Sequence, residues 1–472
     1  MIQAVKSVFP RPMARMAVLA SGLLLAGACM PAGNTAPDAP TRAATVTGPA
    51  MPPMKSFATA HPRPPQQANA DIARDFLDLS FMLESGRALP RLTRFEVPIR
   101  IGLTGATPAH LHADLERLLI RLRREAGIDI DIAGPNEAPN LTIAAVSGQR
   151  IRQFLPQAAC FVVPGISRLS EYRGRRNTPE TDWARLPERR NVAVFLPEDA
   201  APQEMRDCLH EELAQALGPL NDLYRQPDSV FNDDNVHTVL TGFDMLILRA
   251  YYAPELRSGM TRAQVARRLP GLLARLNPAG QDRAPRMLPP APRTWIDAIQ
   301  TALGPGTGAS ERRRAAHRAM AIARAEGWAD HRAGFSHYVL GRLLQAVDSD
   351  AAYRHFITAD RIFAQSPDTA LHRAQVASHL AAYALARGNA AQALGHIRPA
   401  LETSTQGENA MLLSTLMMLR AEALDLSDRP AAARSVRVDS LGWARYGFGA
   451  EWAVRAKLRE ISALNPINRS GG

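Results

Sequence analysis

Apolar side chains fall at every second position in the stretch "FEVPIRIGL", where Val97, Ile99, Ile101 and Leu103 share one face, the signature of a half-buried strand. The period then changes. In "HLHADLERLLIRLRREAG", Leu111, Leu115, Leu118, Leu119 and Leu122 lie on one side of a helix that Gly127 closes. Four short apolar runs follow, "IDIDI", "NLTIAAV", "CFVV" and "NVAVFLP", each the length of a strand. A helix-like segment containing "HEELAQALGPLND", His210 to Asp222, comes after them. Strand, helix, several strands and helix, over residues 70–278, describe an α/β or α+β domain in which a sheet supports the last helix from behind.

Beyond the Pro-rich segment 279–293 the period is helical throughout residues 294–466, ahead of a tail at 467–472. The segments "VDSDAAYRHFITA", "RGNAAQALGHIRPA" and "SDRPAAARSVRVD" recur at a spacing of roughly 40 residues, with Ala351, Ala391 and Ala431 at matching offsets. Small residues at fixed places let paired helices approach closely, and stacked pairs bury a continuous core. This all-α region, about Glu311 to Pro466, resembles tetratricopeptide-like repeats, with units longer than usual. That resemblance implies a concave face for a protein or peptide partner.

The start of the chain is of another kind. Lys6, Arg11 and Arg15 precede the apolar run Met16–Ala28, and small residues then lead to Cys29. Residues 1–29 read as a secretory signal peptide, too short to be a comfortable membrane span. "AGAC" resembles a bacterial lipobox, which makes Cys29 the lipidated residue and the anchor an N-terminal lipid. The expected location is the periplasmic side of the outer membrane, with a soluble periplasmic protein as the alternative. Residues 30–69, rich in Pro, Ala and Thr, read as a disordered tether.

Composition changes this picture little. The net charge of +11 comes from Arg scattered among acidic residues along helices, which codon usage in a GC-rich genome explains more cheaply than nucleic-acid binding. In an exported protein the remaining pair, Cys160 and Cys208, is expected to form a disulfide joining a strand to the start of the motif helix.

The motif bears on chemistry. Metzincin metallopeptidases carry His-Glu-x-x-His-x-x-Gly-x-x-His on their active-site helix. "EELAQALGPLN" matches that spacing with Glu211 at the first ligand, Glu212 at the catalytic base, Gln215 at the second ligand, Gly218 at the turn and Asn221 at the third ligand. Every imidazole is missing. Zinc favours imidazole and thiolate, whereas Glu, Gln and Asn offer oxygen or amide donors that suit harder cations. His210 lies off the ligand face. His237 and the carboxylates of Asp233 and Asp234 offer replacements, although the plainer reading has them cap a turn and face solvent. No Gly-x-Ser-x-Gly elbow occurs, and Cys208 and His210 diverge on a helix, which argues against nucleophilic catalysis.

Together with "VFNDDN" and "LILRAYYAPELRSGM", the motif is similar to a family of proteobacterial lipoproteins of unknown function, over roughly Phe95 to Met260. The resemblance implies a zincin-like fold in which Gln commonly replaces the second His, and places Met260 where metzincins have their methionine turn. The expectation is therefore an exported envelope lipoprotein acting in binding or assembly, with a zinc-free metzincin-like pseudoenzyme domain and no cofactor. Its rival is a metal-dependent peptidase with Glu212 as base and an atypical divalent metal on Glu211, Gln215, Asn221 or His237.

Overall fold

A computed structural model describes residues 51–58 and 62–469. The expected signal segment, Cys29 and most of the expected tether lie outside these residues. The first part of the described chain runs α1 (Asn69–Ser80), β1 (Ile99–Gly105), α2 (Ala109–Ala126), β2 (Ile130–Ile132), β3 (Leu141–Val146), α3 (Gly148–Phe154), β4 (Phe161–Pro164), α4 (Leu169–Arg175), β5 (Val192–Pro197), α5 (Pro202–Leu217), α6 (Gly242–Tyr251) and α7 (Arg262–Leu276). The five strands form one sheet in the order β2-β1-β3-β5-β4. All pairings are parallel except that of β4 with β5, where Phe161 stands opposite Phe195.

Side-chain alternation divides the core in two. Ile99, Ile101, Leu141, Ile143, Val192 and Val194 face a layer built from α1, α2, α5, α6 and α7. Ala144, Phe161, Val163, Ala193 and Phe195 face the smaller layer of α3 and α4. In α2 the five leucines read from the sequence are all buried, each worth about 1.5–3 kcal/mol against exposure, and Gly127 ends the helix in the left-handed region. Val97 departs from the expected strand face. It is 58% exposed because Pro98 precedes β1 and the ladder begins at Ile99.

The second part is wholly helical: α8 (Arg293–Leu303), α9 (Ala309–Ala325), α10 (His331–Leu344), α11 (Ser349–Phe363), α12 (Ala370–Ala386), α13 (Ala390–Gln406), α14 (Ala410–Asp425), α15 (Pro430–Phe448) and α16 (Glu451–Ser462). Antiparallel pairs α10/α11, α12/α13 and α14/α15 recur, and the repeated segments begin the second helix of each pair. The buried small residues are Ala352, Ala393 and Ala433, whereas Ala391 and Ala431 are exposed and Ala351 is half-buried. The capping residues Asp348 and Asn389 set this phase by accepting hydrogen bonds from Ala351 and Gln392 N–H, which rotates the next turn inward.

Two expectations about connections need correction. Residues 51–58 do not behave as free tether: Phe57 is 8% exposed, stacks on Trp443 and packs with Leu413 and Tyr446, Lys55 N–H donates to the Gly442 carbonyl, and Arg445 donates to that of Pro52. An aromatic ring, a backbone N–H and a carbonyl that takes up Arg445 of α15 give this Pro-rich segment the anchors its composition hides. Segment 279–293 is likewise held down. The Asp71 carboxylate accepts from Arg286 and Met287 N–H, and the Pro289 carbonyl accepts from buried Arg332. Buried polar contacts join the two parts, Arg206 to Glu408, Tyr446 to Asp114 and His372 to Asp234. Among the described residues no helix is long and apolar enough to cross a membrane.

Candidate functional site

A cleft follows from the register of α5. Pro202 opens the helix, with Glu204 in its first turn, as the exposed amides of a helix start favour. Met205, Leu209, Leu213, Ala216 and Leu217 then face the core. The opposite stripe, Glu204, Asp207, Cys208, Glu211, Glu212 and Gln215, recurs every three to four residues and lines one cavity of about 820 Å³. Its far wall is the edge strand β4 with Cys160, Phe161 and Val162. Cys160 and Cys208 are disulfide-bonded, so wall and floor are covalently joined. Cys208 sits within α5 rather than at its start, because the helix begins at Pro202.

Beyond α5 the chain turns under the cleft. At Gly218 a Cβ would come within 2.9 Å of the Tyr251 ring, so the close approach of the turn to α6 excludes a side chain there. Arg189, 1% exposed, donates to the carbonyls of Gln215, Ala216 and Gly218 and closes the C-terminal end of α5. Nothing in the periodicity singled out Arg189. Its guanidinium lies 4.8 Å over Trp183, and burial without an acidic partner lowers its pKa.

The metal-type donors separate. Gln215 donates to Glu84 at 3.4 Å. Asn221 turns away, donating to the Asp78 carbonyl at 3.1 Å, and does not line the cavity. His237 does line it, with Nε2 3.3 Å from Asp228 and a buried Nδ1 that has no partner. Burial disfavours the charged His237, but the hydrogen bond and charge of Asp228, with Asp234 and Asp244, outweigh this and raise its pKa. His210 accepts from Leu240 N–H in the core, where desolvation and Arg206 keep it neutral. Among the described residues no three His, Cys, Asp or Glu side chains are grouped to hold a metal ion. Met260 is buried in the core, lines a different pocket and has its carbonyl bonded to Leu92 N–H.

Carboxylates take the place of that donor set. Glu84, Asp222 and Asp233 join Glu211 and Glu212 around the cavity. Desolvation, then repulsion from Asp233 and Glu84, pushes Glu211 up to about 8. Glu212 and Asp222 are raised well above the ordinary carboxylate range, burial first and neighbouring carboxylates second. Asp233 and Asp234 do not face solvent as a turn reading would have them. Asp233 accepts from Tyr224 Oη at 2.7 Å in the left-handed region, and buried Asp234 pairs with His372 at 2.6 Å. Burial would raise Asp234, but His372 and His237 outweigh it and lower its pKa. Asp234 and His372 lie 138 residues apart, and no local pattern marks the pair.

Residues 69–271 match the model of a family described as a protein of unknown function (DUF2927). The match runs from α1 into α7 and contains Glu84, the α5 stripe, Asp222 and Asp233. Gln300, which also lines the cavity, and His372 are supplied by the helices that follow it. No curated protein matches the chain.

Proposed function

We propose that this protein is a binding or assembly component of the cell envelope, and that the cleft over α5 takes an extended segment of a partner polypeptide. One observation carries the reading: the motif face of α5 and the edge strand β4 are the two walls of a single cavity, stapled by a disulfide. An edge strand offers unpaired backbone groups to which another chain can add. The zincin-like assignment is part of this proposal, supported by the motif spacing and by its helix lying against a mixed sheet. Export and lipid attachment at Cys29, with an outer-membrane location facing the periplasm, are the cellular half of it. The Cys160–Cys208 bond supports an oxidising compartment.

The rival, a metal-dependent peptidase with Glu212 as base, asks for donors that converge. Asn221 donates to the Asp78 carbonyl and Gln215 to Glu84, so these side chains do not converge on one point as a metal ion asks. A photo-crosslinking residue at Val162 of the full chain in cells should yield an adduct with a polypeptide, and one at exposed Val347 should not. Plasma mass spectrometry decides against the proposal if the purified protein holds stoichiometric metal that Glu211→Ala and Gln215→Ala remove.

A further inference from the structure

The cavity over α5 has a composition unlike the rest of the molecule. The chain carries 56 Lys and Arg against 45 Asp and Glu. Yet among the described residues no Lys or Arg side chain lines this cavity, while Glu84, Asp207, Glu211, Glu212, Asp222 and Asp233 all do. Other buried acids have their oxygens satisfied: Asp75 by Arg225, Glu408 by Arg206, Asp244 by Ser229 and backbone amides and, within this cavity, Asp234 by His372. Glu212 is different. It is 6% exposed and lines the cavity, and its Oε2 has no hydrogen-bond partner. Asp207 and Asp222 each hold an unpartnered buried oxygen at the same cavity. A buried carboxylate oxygen without a donor is costly, and a cluster of them costs more through mutual repulsion.

We propose that this cleft selects an arginine side chain of the bound polypeptide, its guanidinium received by Glu212 with Asp222 and Glu211. The inference rests on the cleft being a polypeptide site and adds what it selects. The acids do not gather three together at metal-ion spacing, so a point charge would satisfy few of them. A guanidinium spreads five N–H donors over a plane and reaches several separated carboxylates at once. Its aliphatic stem needs an apolar passage, and Leu83, Leu155, Phe161, Val162 and Trp183 line the same cavity. Burial and the neighbouring Asp233 and Glu84 raise the pKa of Glu211 to about 8, and a guanidinium placed among these carboxyls would oppose that rise.

The test uses the purified full chain and three probes: a blocked Ala-Ala-Arg-Ala-Ala peptide, the same peptide with citrulline for arginine, and agmatine, a free guanidinium amine. Calorimetric titration should show the arginine peptide binding at least tenfold tighter than the citrulline peptide. Glu212→Gln, with Asp222→Asn as a second variant, should abolish that preference while thermal melting shows both still folded. Equal binding of the two peptides overturns the arginine selectivity and leaves the polypeptide cleft standing. Binding of agmatine without either peptide overturns the polypeptide occupant. Failure of all three at millimolar concentration overturns the proposal, and the Val162 crosslink then reports separately on whether a polypeptide occupies the cleft.

Discussion

Glu211 illustrates how a residue that looks like a ligand by spacing behaves as a strained acid by environment. Its folded pKa, about 8, lies above the ordinary value of 4.5, so the folded protein holds a proton that the unfolded chain gives up. A raised carboxyl pKa contributes stability fully present below the unfolded value and lost as pH rises through the folded one. Melting temperature measured between pH 5 and 8.5 should therefore fall with pH through this group, and Glu211→Gln should flatten the fall and raise stability at pH 8.5. Asp207, Glu84, Asp233 and Asp244 face the same group and act in the same direction. Arg189 presents the opposite case, a buried charge satisfied by carbonyls and the Thr93 hydroxyl with no acid beside it. Arg189→Ala should cost about 3 kcal/mol or more, read as a lowered denaturant midpoint with little change in slope. Glu211, Glu212 and Gln215 were legible because helix spacing puts them on one stripe. Asp233 was legible as a spare carboxylate but not as a buried one, and Glu84 and Asp222 were not, since each reaches the cavity by tertiary closure from a loop.

At the scale of elements, all five strands and the helix α2 could be read from period and run length, as could the helical character after residue 293. Strand order could not. Periodicity says which face of a strand is buried but carries nothing about its neighbour, so β4 as an antiparallel edge beside β5 had no signal before the structure. The repeats were legible as a spacing and misread by a residue or two in phase, because the caps Asp348 and Asn389 decide which alanine turns inward. The disulfide ties two such elements, and it closes a loop with a sequence separation of 48 residues. Chain entropy makes that bond worth on the order of 4 kcal/mol. Reduction, or the paired Cys160→Ser and Cys208→Ser change, should lower the melting temperature by several degrees and should weaken ligand binding at the cleft more than a distant core truncation of equal cost.

The whole molecule departs most from a reading of separate modules on a tether. Arg206, Glu408, Tyr446, Asp114, Asp234 and His372 put charged groups inside the junction between the α/β part and the helices, and such groups are costly to expose singly. Scanning calorimetry of the full protein should therefore give one cooperative transition across both parts, with calorimetric and van't Hoff enthalpies in agreement. Phe57→Ala should lower it, costing about 3 kcal/mol, although Phe57 lies in the segment that composition marks as linker. That segment has a mechanical meaning as well. The chain enters its described structure along α15, near its other end, through Lys55, Phe57 and the Pro52 carbonyl. Tension applied upstream of Met51 would load α15 first and, through Arg206 against the Phe57 and Tyr446 rings, would pass straight to α5, so a pull on that segment would be felt at the floor of the cleft.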